Sequence, residues 1–295
     1  MSELRAALKS LLRSWSDERP APRVLSRREE TRGAMAVEHL LLDLGTGEPV
    51  PAVLTRPTTP GPHPAVLYCH AHGARYAIGL RELLEGRPSL LSPYGPLLAE
   101  MGFVSLCVEM PTFGARQEPA EGPLSKALLW RGETLFGLML RELAGGVDYL
   151  VARPDVDAAR IATFGLSMGA TQAFWLAALD ERIAAAAHLC CYTDLASLVA
   201  TGAHDLHGHY MTVPGLLALT STGAIAGLVA PRPQLICIGY DDPLTPRGAV
   251  EKALRETGDA YGTSQALVFH GEEGVGHRET EVMRERVIEF LTRLK

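Results

Sequence analysis

Residues 160–178 read RIATFGLSMGATQAFWLAA, and this stretch decides the interpretation of the chain. A short apolar run, Ile161 to Phe164, ends at Gly165, and a segment rich in helix-forming residues begins at Gly169. Between them lies the pattern G-x-S-x-G with Ser167 at its centre. A serine on a sharp turn between a strand and a helix is typical of a nucleophile elbow. The alternative is a Gly-rich turn with a structural serine, but the strand before it and the helix after it favour the nucleophile.

Composition narrows the classes of function. The chain has 295 residues, of which 47% are hydrophobic and 21% charged, as in an ordinary globular protein. Its formal net charge of −6 argues against nucleic acid or an anionic membrane as the main partner. The first twenty residues mix both charge signs without an uninterrupted apolar core, so no signal peptide is predicted. Five cysteines in apolar runs favour reduced thiols and a cytoplasmic location.

The order of apolar runs and helical patterns predicts an α/β protein. Leucines and a tryptophan at helical spacing predict an amphipathic helix over residues 3–16, followed by a polar linker to about Gly33. We expect one domain over 34–295, in which strands and helices alternate from residue 64 onward. The sheet should therefore be mostly parallel, with helices on both faces. A long helical stretch is predicted over 124–151, and 192–231 should be a helical insertion over the active site.

A serine nucleophile needs a base, and the base needs a carboxylate that orients it. After the predicted strand QLICI comes GYDDP, where Asp242 is the expected acid and Asp241 the alternative. Asp194, after the preceding strand, is a weaker candidate. After the strand ALVF comes HGEEGVGHRE, where the Gly-rich run can bend the loop so that His277 becomes the base. His270, at the strand end, is more typical of a structural residue.

The oxyanion hole is expected to use two backbone amides. The first is that of Met168, directly after the nucleophile. The second should come from the loop after the strand PAVLYCH, where counting from the strand favours His72 and matching the local His-Gly pair favours Ala74.

Histidines in the predicted insertion form a second cluster. The segment HDLHGHY places His204, His207 and His209 beside Tyr210. Their spacings do not put all three histidines on one face of a helix, so we do not expect a metal site. We expect these four residues to line the substrate pocket or to pack there as polar groups.

The segments RPDVDAARIATFGLSMG, LDERIAAAA, GYDDPLTP and GVGHRE make the chain resemble the dienelactone hydrolase-like and acetyl xylan esterase-like branch of the α/β-hydrolase superfamily. The catalytic domain of prolyl oligopeptidases is similar too. The resemblance covers about residues 50 to 295. It implies an eight-stranded sheet, hydrolysis through an acyl-enzyme without a cofactor, and Ser167, Asp242 and His277 as the triad. Dienelactone hydrolases proper use a cysteine nucleophile, so their lactone specificity is not implied.

These observations together predict a carboxylesterase-like serine hydrolase that acts on small-molecule esters. An amidase or short-peptide hydrolase with the same triad is the alternative within enzymes. A catalytically silent hydrolase-fold binding protein is the alternative outside them, although a binding role needs no triad. We expect no cofactor, no nucleic-acid partner and no membrane partner, and a homo-oligomer is compatible with the sequence.

Overall fold

One twisted sheet organises the molecule. The computed structural model describes residues 2–295, and within them nine strands pair in the order β1-β2-β3-β5-β4-β6-β7-β8-β9. The strands are β1 (Arg23–Arg32), β2 (Met35–Asp43), β3 (Val50–Pro57), β4 (His63–Cys69), β5 (Val104–Val108), β6 (Val156–Leu166), β7 (Ala185–Leu189), β8 (Gln234–Gly239) and β9 (Leu267–Glu272).

The sheet is antiparallel at one side and parallel over the rest. Strands β1, β2, β3 and β5 pair antiparallel, whereas β5, β4, β6, β7, β8 and β9 run parallel to one another. The central strands are mostly apolar where both of their faces are covered. In β4, Val66 and Tyr68 face one core, whereas Leu67 and Cys69 face the other. The expected mostly parallel sheet is confirmed.

Helices cover both faces of this sheet. They are α1 (Ser2–Leu12), α2 (Glu82–Glu85), α3 (Tyr94–Glu100), α4 (Glu121–Trp130), α5 (Leu135–Val151), α6 (Met168–Leu179), α7 (Leu195–Thr201), α8 (Leu216–Leu219), α9 (Thr222–Gly227), α10 (Arg247–Tyr261) and α11 (Glu281–Thr292). Buried residues of α1, α5, α6, α9 and α10 join one core, and those of α2, α3 and α11 join the other. Within residues 2–295, no helix combines the length and apolar character that crossing a membrane requires.

Two features of the amino-terminal third differ from the sequence prediction. The predicted linker contains β1, which pairs with β2 from Arg23 opposite Asp43 to Arg32 opposite Met35. The sheet therefore has nine strands within the described residues, and not the eight that the resemblance implied. The linker prediction was wrong because β1 is exposed along nearly its whole length and carries no apolar alternation. Its pairing rests on backbone hydrogen bonds, which a hydrophobic pattern does not reveal.

The helix predicted over 124–151 is also divided. Helix α4 ends at Trp130, and α5 begins at Leu135. Thr134 caps α5, because its side chain accepts a hydrogen bond from the Gly137 amide. The hydroxyl of Thr134 also lies 3.3 Å from the carbonyl oxygen of Leu12 at the end of α1. The break between the two helices therefore lies where the amino-terminal helix packs on the domain.

Residues 192–231 connect β7 to β8 and consist mainly of short helices. Helices α7, α8 and α9 lie in this segment, together with 3₁₀ turns at Ala203–Leu206 and His209–Met211. The segment leaves the sheet at the carboxyl end of β7, which is the edge where parallel α/β sheets place their ligand sites. Short helices therefore begin at that edge, and we call residues 192–231 the insertion; that they cover the active site stays a prediction.

Candidate active site

Ser167 lies on the turn between β6 and α6. Its backbone has φ 60° and ψ −122°, a conformation that costs an ordinary residue free energy and is held by its surroundings. The Ser167 amide donates to the carbonyl oxygen of Leu189 in β7, at 2.9 Å. A Cβ on Gly165 would lie 2.6 Å from the carbonyl oxygen of Cys69, and one on Gly169 would overlap that same oxygen. The two glycines therefore let the elbow pack directly on the end of β4.

His277 links this serine to a buried carboxylate. Its Nε2 lies 2.8 Å from Ser167 Oγ, and its Nδ1 lies 2.6 Å from Asp242 Oδ2. Asp242 is 2% exposed, and its other oxygen accepts the Leu244 amide at 2.9 Å. The structure therefore brings together the three residues that the sequence predicted as a triad. Since an aspartate on Nδ1 fixes the imidazole proton there, Nε2 is left free to accept the serine proton.

The alternatives for the acid and the base have other contacts. Asp241 is exposed and neighbours the buried Asp242. Asp194 caps α7 through the Ser197 amide at 2.9 Å and pairs with Lys252 at 2.8 Å. Burial opposes ionisation of Asp194, but the hydrogen bonds from Lys252 and Ser197 lower its pKa. His270 lies 2.9 Å from Glu272 Oε1 on its own strand. Among the described residues, the side-chain hydrogen bonds of Ser167 and His277 involve none of these three side chains.

Two backbone amides are available as oxyanion donors. Met168 is the first residue of α6, and the first amides of a helix have no acceptor within the helix. Among residues 2–295, the structure gives the His72 amide no acceptor either. The Ala74 amide differs, because it donates to Nδ1 of the His72 ring at 3.0 Å. The alternative that assigned the second donor to Ala74 is therefore disfavoured by the structure.

The loop that carries His72 is a tight turn with several anchors. The carbonyl oxygen of His72 accepts the Arg75 amide at 3.0 Å, and Gly73 and Ala74 both have a φ of 53°. Just before the turn, the Ala71 amide donates to the buried carboxylate of Glu82, at 3.1 Å. Nη2 of Arg87 lies 3.3 Å from the His72 carbonyl oxygen. No pattern in the sequence indicates these anchors, because Glu82 lies 11 residues from Ala71 and Arg87 lies 15 residues from His72.

The histidine cluster borders a cavity within the insertion. This cavity of about 380 Å³ is lined by His204, His207 and His209 together with Asp205, Gly208, Thr212, Leu195, Leu198, Val199, Met211, Val213, Leu216 and Leu217. His207 Nε2 lies 2.9 Å from the carbonyl oxygen of Leu244, whose amide contacts the triad acid. Burial lowers the pKa of His207, which favours its neutral form.

Tyr210 does not line this cavity. It is buried, and its ring stacks on that of His72 with the centroids 5.7 Å apart. Of the two expected roles, Tyr210 therefore packs against His72 and does not line this cavity, and its place relative to the substrate stays a prediction. Within the described part of the chain, no three histidine, cysteine or acidic side chains converge as a metal ion would require.

Comparison with known proteins gives a relative in sequence and several similar solved structures. No protein-family model matches the chain. A protein of Bacillus subtilis (strain 168) named "Putative hydrolase YtaP" is 38% identical over 294 residues, which is 98% of either chain. Among solved structures, the glucuronoyl esterase from Solibacter usitatus is similar with a TM-score of 0.69 and 15% identity, over 98% of this chain and 92% of that one. The acetyl xylan esterase from Paenibacillus sp. R4 is similar with a TM-score of 0.68 and 17% identity, over 99% of this chain and 93% of that one.

These likenesses confirm the expected fold. At 15% and 17% identity the two esterases share the architecture of the chain, which is that of the α/β-hydrolases. The resemblance to acetyl xylan esterases is thus confirmed at the level of the fold. Because 38% identity extends over nearly the whole length of both proteins, the chain belongs to the hydrolase family of YtaP.

Proposed function

We propose that the protein is a serine hydrolase that cleaves carboxylic esters of small molecules through an acyl-enzyme. One observation carries the proposal, namely the continuous hydrogen-bond chain from Ser167 through His277 to Asp242. Each member lies on a different loop at the carboxyl end of the parallel sheet. Such a chain places the Ser167 hydroxyl next to Nε2 of His277, while Asp242 holds the ring through Nδ1.

The proposed reaction follows from the positions of these groups. Ser167 Oγ attacks the ester carbonyl carbon while His277 Nε2 takes the hydroxyl proton. Asp242 stabilises the imidazolium, and the amides of Met168 and His72 donate to the oxyanion of the tetrahedral intermediate. The carbon–oxygen bond to the leaving alcohol then breaks, and His277 returns the proton to that oxygen. Water repeats the sequence on the acyl-enzyme and releases the carboxylic acid.

An ester substrate is supported over an amide by the structural relatives. The solved structures described above bear names of esterases. A leaving alkoxide also needs less help from a general acid than a leaving amine. We infer a cytoplasmic location as well, supported by five buried cysteines that are all free.

The cavity in the insertion is our candidate for the apolar part of the substrate. Its wall adjoins the catalytic loop after β8, since the ring of His207 reaches the Leu244 carbonyl oxygen and the Leu244 amide contacts Asp242. Six aliphatic side chains and Met211 form most of the remaining wall. A volume of about 380 Å³ is within the range of pockets that bind small molecules. We therefore propose that the insertion selects the substrate by the size of its apolar group.

The test combines active-site labelling with turnover. Purified protein should react with a fluorophosphonate probe and hydrolyse p-nitrophenyl esters, whereas the matching p-nitroanilides should be poor substrates. Ser167→Ala should abolish labelling and reduce kcat by about 10⁶, as in other serine hydrolases that lose the nucleophile. Labelling that persists in Ser167→Ala would assign the nucleophile to another residue. Turnover of anilides at the rate of esters would favour an amidase.

A further inference from the structure

We propose that Glu121 is a positioning residue for the oxyanion hole, which it supports by fixing the ring of His72. This inference rests on the proposed function, because it assigns the His72 amide as an oxyanion donor. Glu121 is the first residue of α4, and its carboxyl group is 5% exposed. It lies 49 residues along the chain from His72 and outside the catalytic triad.

Three donors from three segments meet at this carboxylate. Oε2 lies 2.9 Å from Nε2 of His72 and accepts the Tyr76 hydroxyl at 2.7 Å. Oε1 accepts the Tyr210 amide at 2.9 Å. Burial opposes ionisation, but the hydrogen bonds from His72, Tyr76 and Tyr210 lower the pKa of Glu121 to about 2. A carboxylate that is charged at neutral pH and buried under three donors is a rigid anchor.

The contacts of the His72 ring show which of its two nitrogens carries the proton. Nδ1 accepts the Ala74 amide at 3.0 Å, so that nitrogen carries no proton. Nε2 must then be the protonated nitrogen, and it donates to Glu121 Oε2. The ring therefore links the turn of its own loop to α4, with one bond at each nitrogen. Fixing both bonds fixes the orientation of the His72 residue and of its backbone amide.

Packing restricts the ring further. Its centroid lies 5.0 Å from that of Tyr76, 5.2 Å from that of Phe113 and 5.7 Å from that of Tyr210. Gly208 of the insertion lies against the same place, because a Cβ there would be 2.8 Å from both Glu121 Oε1 and His72 Nε2. Two loops and α4 thus enclose a single imidazole. Such enclosure holds the ring on several sides, which suits a backbone donor that must stay in place.

The expected catalytic contribution is large because oxyanion donors act by position. Removal of one donor typically costs 10² to 10³ in kcat, and a displacement of about 1 Å can cost 10²-fold. In Glu121→Gln, at least one of the three donors would face an amide NH₂ group. The His72 ring would lose its partner or its orientation, and the turn would hold the amide less firmly. We expect kcat/KM to fall by about ten- to a hundredfold.

The test uses a p-nitrophenyl butyrate and its thiono counterpart, in which sulfur replaces the carbonyl oxygen. Sulfur is a weak hydrogen-bond acceptor, so the thiono ester gains little from an oxyanion hole. In the unsubstituted protein, kcat/KM should be much higher for the oxo ester. In Glu121→Gln the oxo ester should lose activity, the thiono ester much less, and the ratio between them should shrink. Glu133→Gln, at an exposed glutamate beyond α4, is the matched control and should leave the ratio unchanged.

Two further variants test the role of Glu121, and one of them does not require Glu121→Gln to fold. His72→Phe keeps an aromatic ring and removes both nitrogens, so the double variant with Glu121→Gln should lose no more than either single variant. If Glu121→Gln fails to fold, Tyr76→Phe, which removes one donor, should still shrink the ratio by about two- to fivefold. Equal losses for the two esters, or an unchanged ratio in Tyr76→Phe, would overturn the proposal. An unsubstituted protein without esterase activity would instead overturn the proposed function, and the role of Glu121 with it.

Discussion

Asp242 Oδ2 lies 2.6 Å from His277 Nδ1, so the loop after β8 meets the loop after β9 at a single charged contact. These two strands are neighbours in the sheet and pair in register from Gln234 opposite Leu267 to Gly239 opposite Glu272. The Asp241 amide also donates to the Val275 carbonyl oxygen at 2.9 Å. The acid and the base are therefore oriented by backbone contacts as well as by their own hydrogen bond.

This geometry distinguishes two adjacent aspartates. Asp242→Asn should reduce kcat by about 10⁴, because an amide at this position favours the wrong imidazole tautomer. Asp241→Asn changes an exposed side chain and should leave kcat nearly unchanged, which makes it the matched control. Steady-state kinetics of both variants on one p-nitrophenyl ester will show which aspartate is the catalytic acid. The reverse ranking would make Asp241 the acid.

The size of the cavity in the insertion should limit the acyl chain. Met211 lines it with a flexible, half-buried side chain, so Met211→Trp should fill part of the space. We expect kcat/KM for a p-nitrophenyl octanoate to fall by about tenfold or more, while the acetate changes little. Leu219→Trp, at an exposed position that does not line the cavity, serves as control. Equal effects on octanoate and acetate would show that the acyl chain binds elsewhere.

A buried histidine should make the fold sensitive to acid. Gln234 Oε1 accepts the Tyr261 hydroxyl at 3.1 Å, which turns its Nε2 toward His188 Nε2, 2.9 Å away. His188 is therefore an acceptor there and is neutral, and burial lowers its pKa to about 3. The unfolded chain binds this proton near pH 6.5, so stability is present above that pH and is lost as pH falls toward 3.

The measurement is urea unfolding at pH 7.5 and pH 5. The loss of unfolding free energy between these two values should be smaller in His188→Phe than in the unsubstituted protein, by on the order of 2 kcal/mol. The variant should also be less stable at pH 7.5, since the Gln234 amide loses its acceptor. His209→Gln, at an exposed histidine, should leave the pH dependence unchanged. An unchanged dependence in His188→Phe would mean that His188 does not titrate on unfolding.

Turnover should not depend on a metal ion. The proposed reaction needs only the serine, the histidine, the aspartate and two amides. Two of the three clustered histidines already contact backbone carbonyl oxygens, His204 that of Leu198 and His207 that of Leu244. Assays before and after dialysis against EDTA should therefore agree. Loss of activity that zinc restores would contradict this expectation and point to the cluster.

The elbow and the triad could be predicted because their signals are local. Ser167, Asp242 and His277 each follow an apolar strand within a turn-rich loop, and strand ends of a parallel sheet meet at one edge. The contacts that hold the His72 loop in place could not be predicted in this way. Glu121 is an ordinary helix-start residue in the sequence, and nothing in its spacing relates it to a histidine 49 positions earlier. Partners that meet only through the tertiary fold leave no periodic pattern.

Strand β1 has a consequence for any shortened form of the protein. Its charged side chains, among them Arg27, Arg28 and Glu30, lie at the border of the sheet, where lone strands otherwise invite pairing between molecules. A chain that began at residue 34 would keep every catalytic group, yet it would lose the core residues of α1 and leave the amides and carbonyls of β2 open. Proteolytic trimming that removes α1 and β1 should therefore yield an enzyme that aggregates although it keeps its triad.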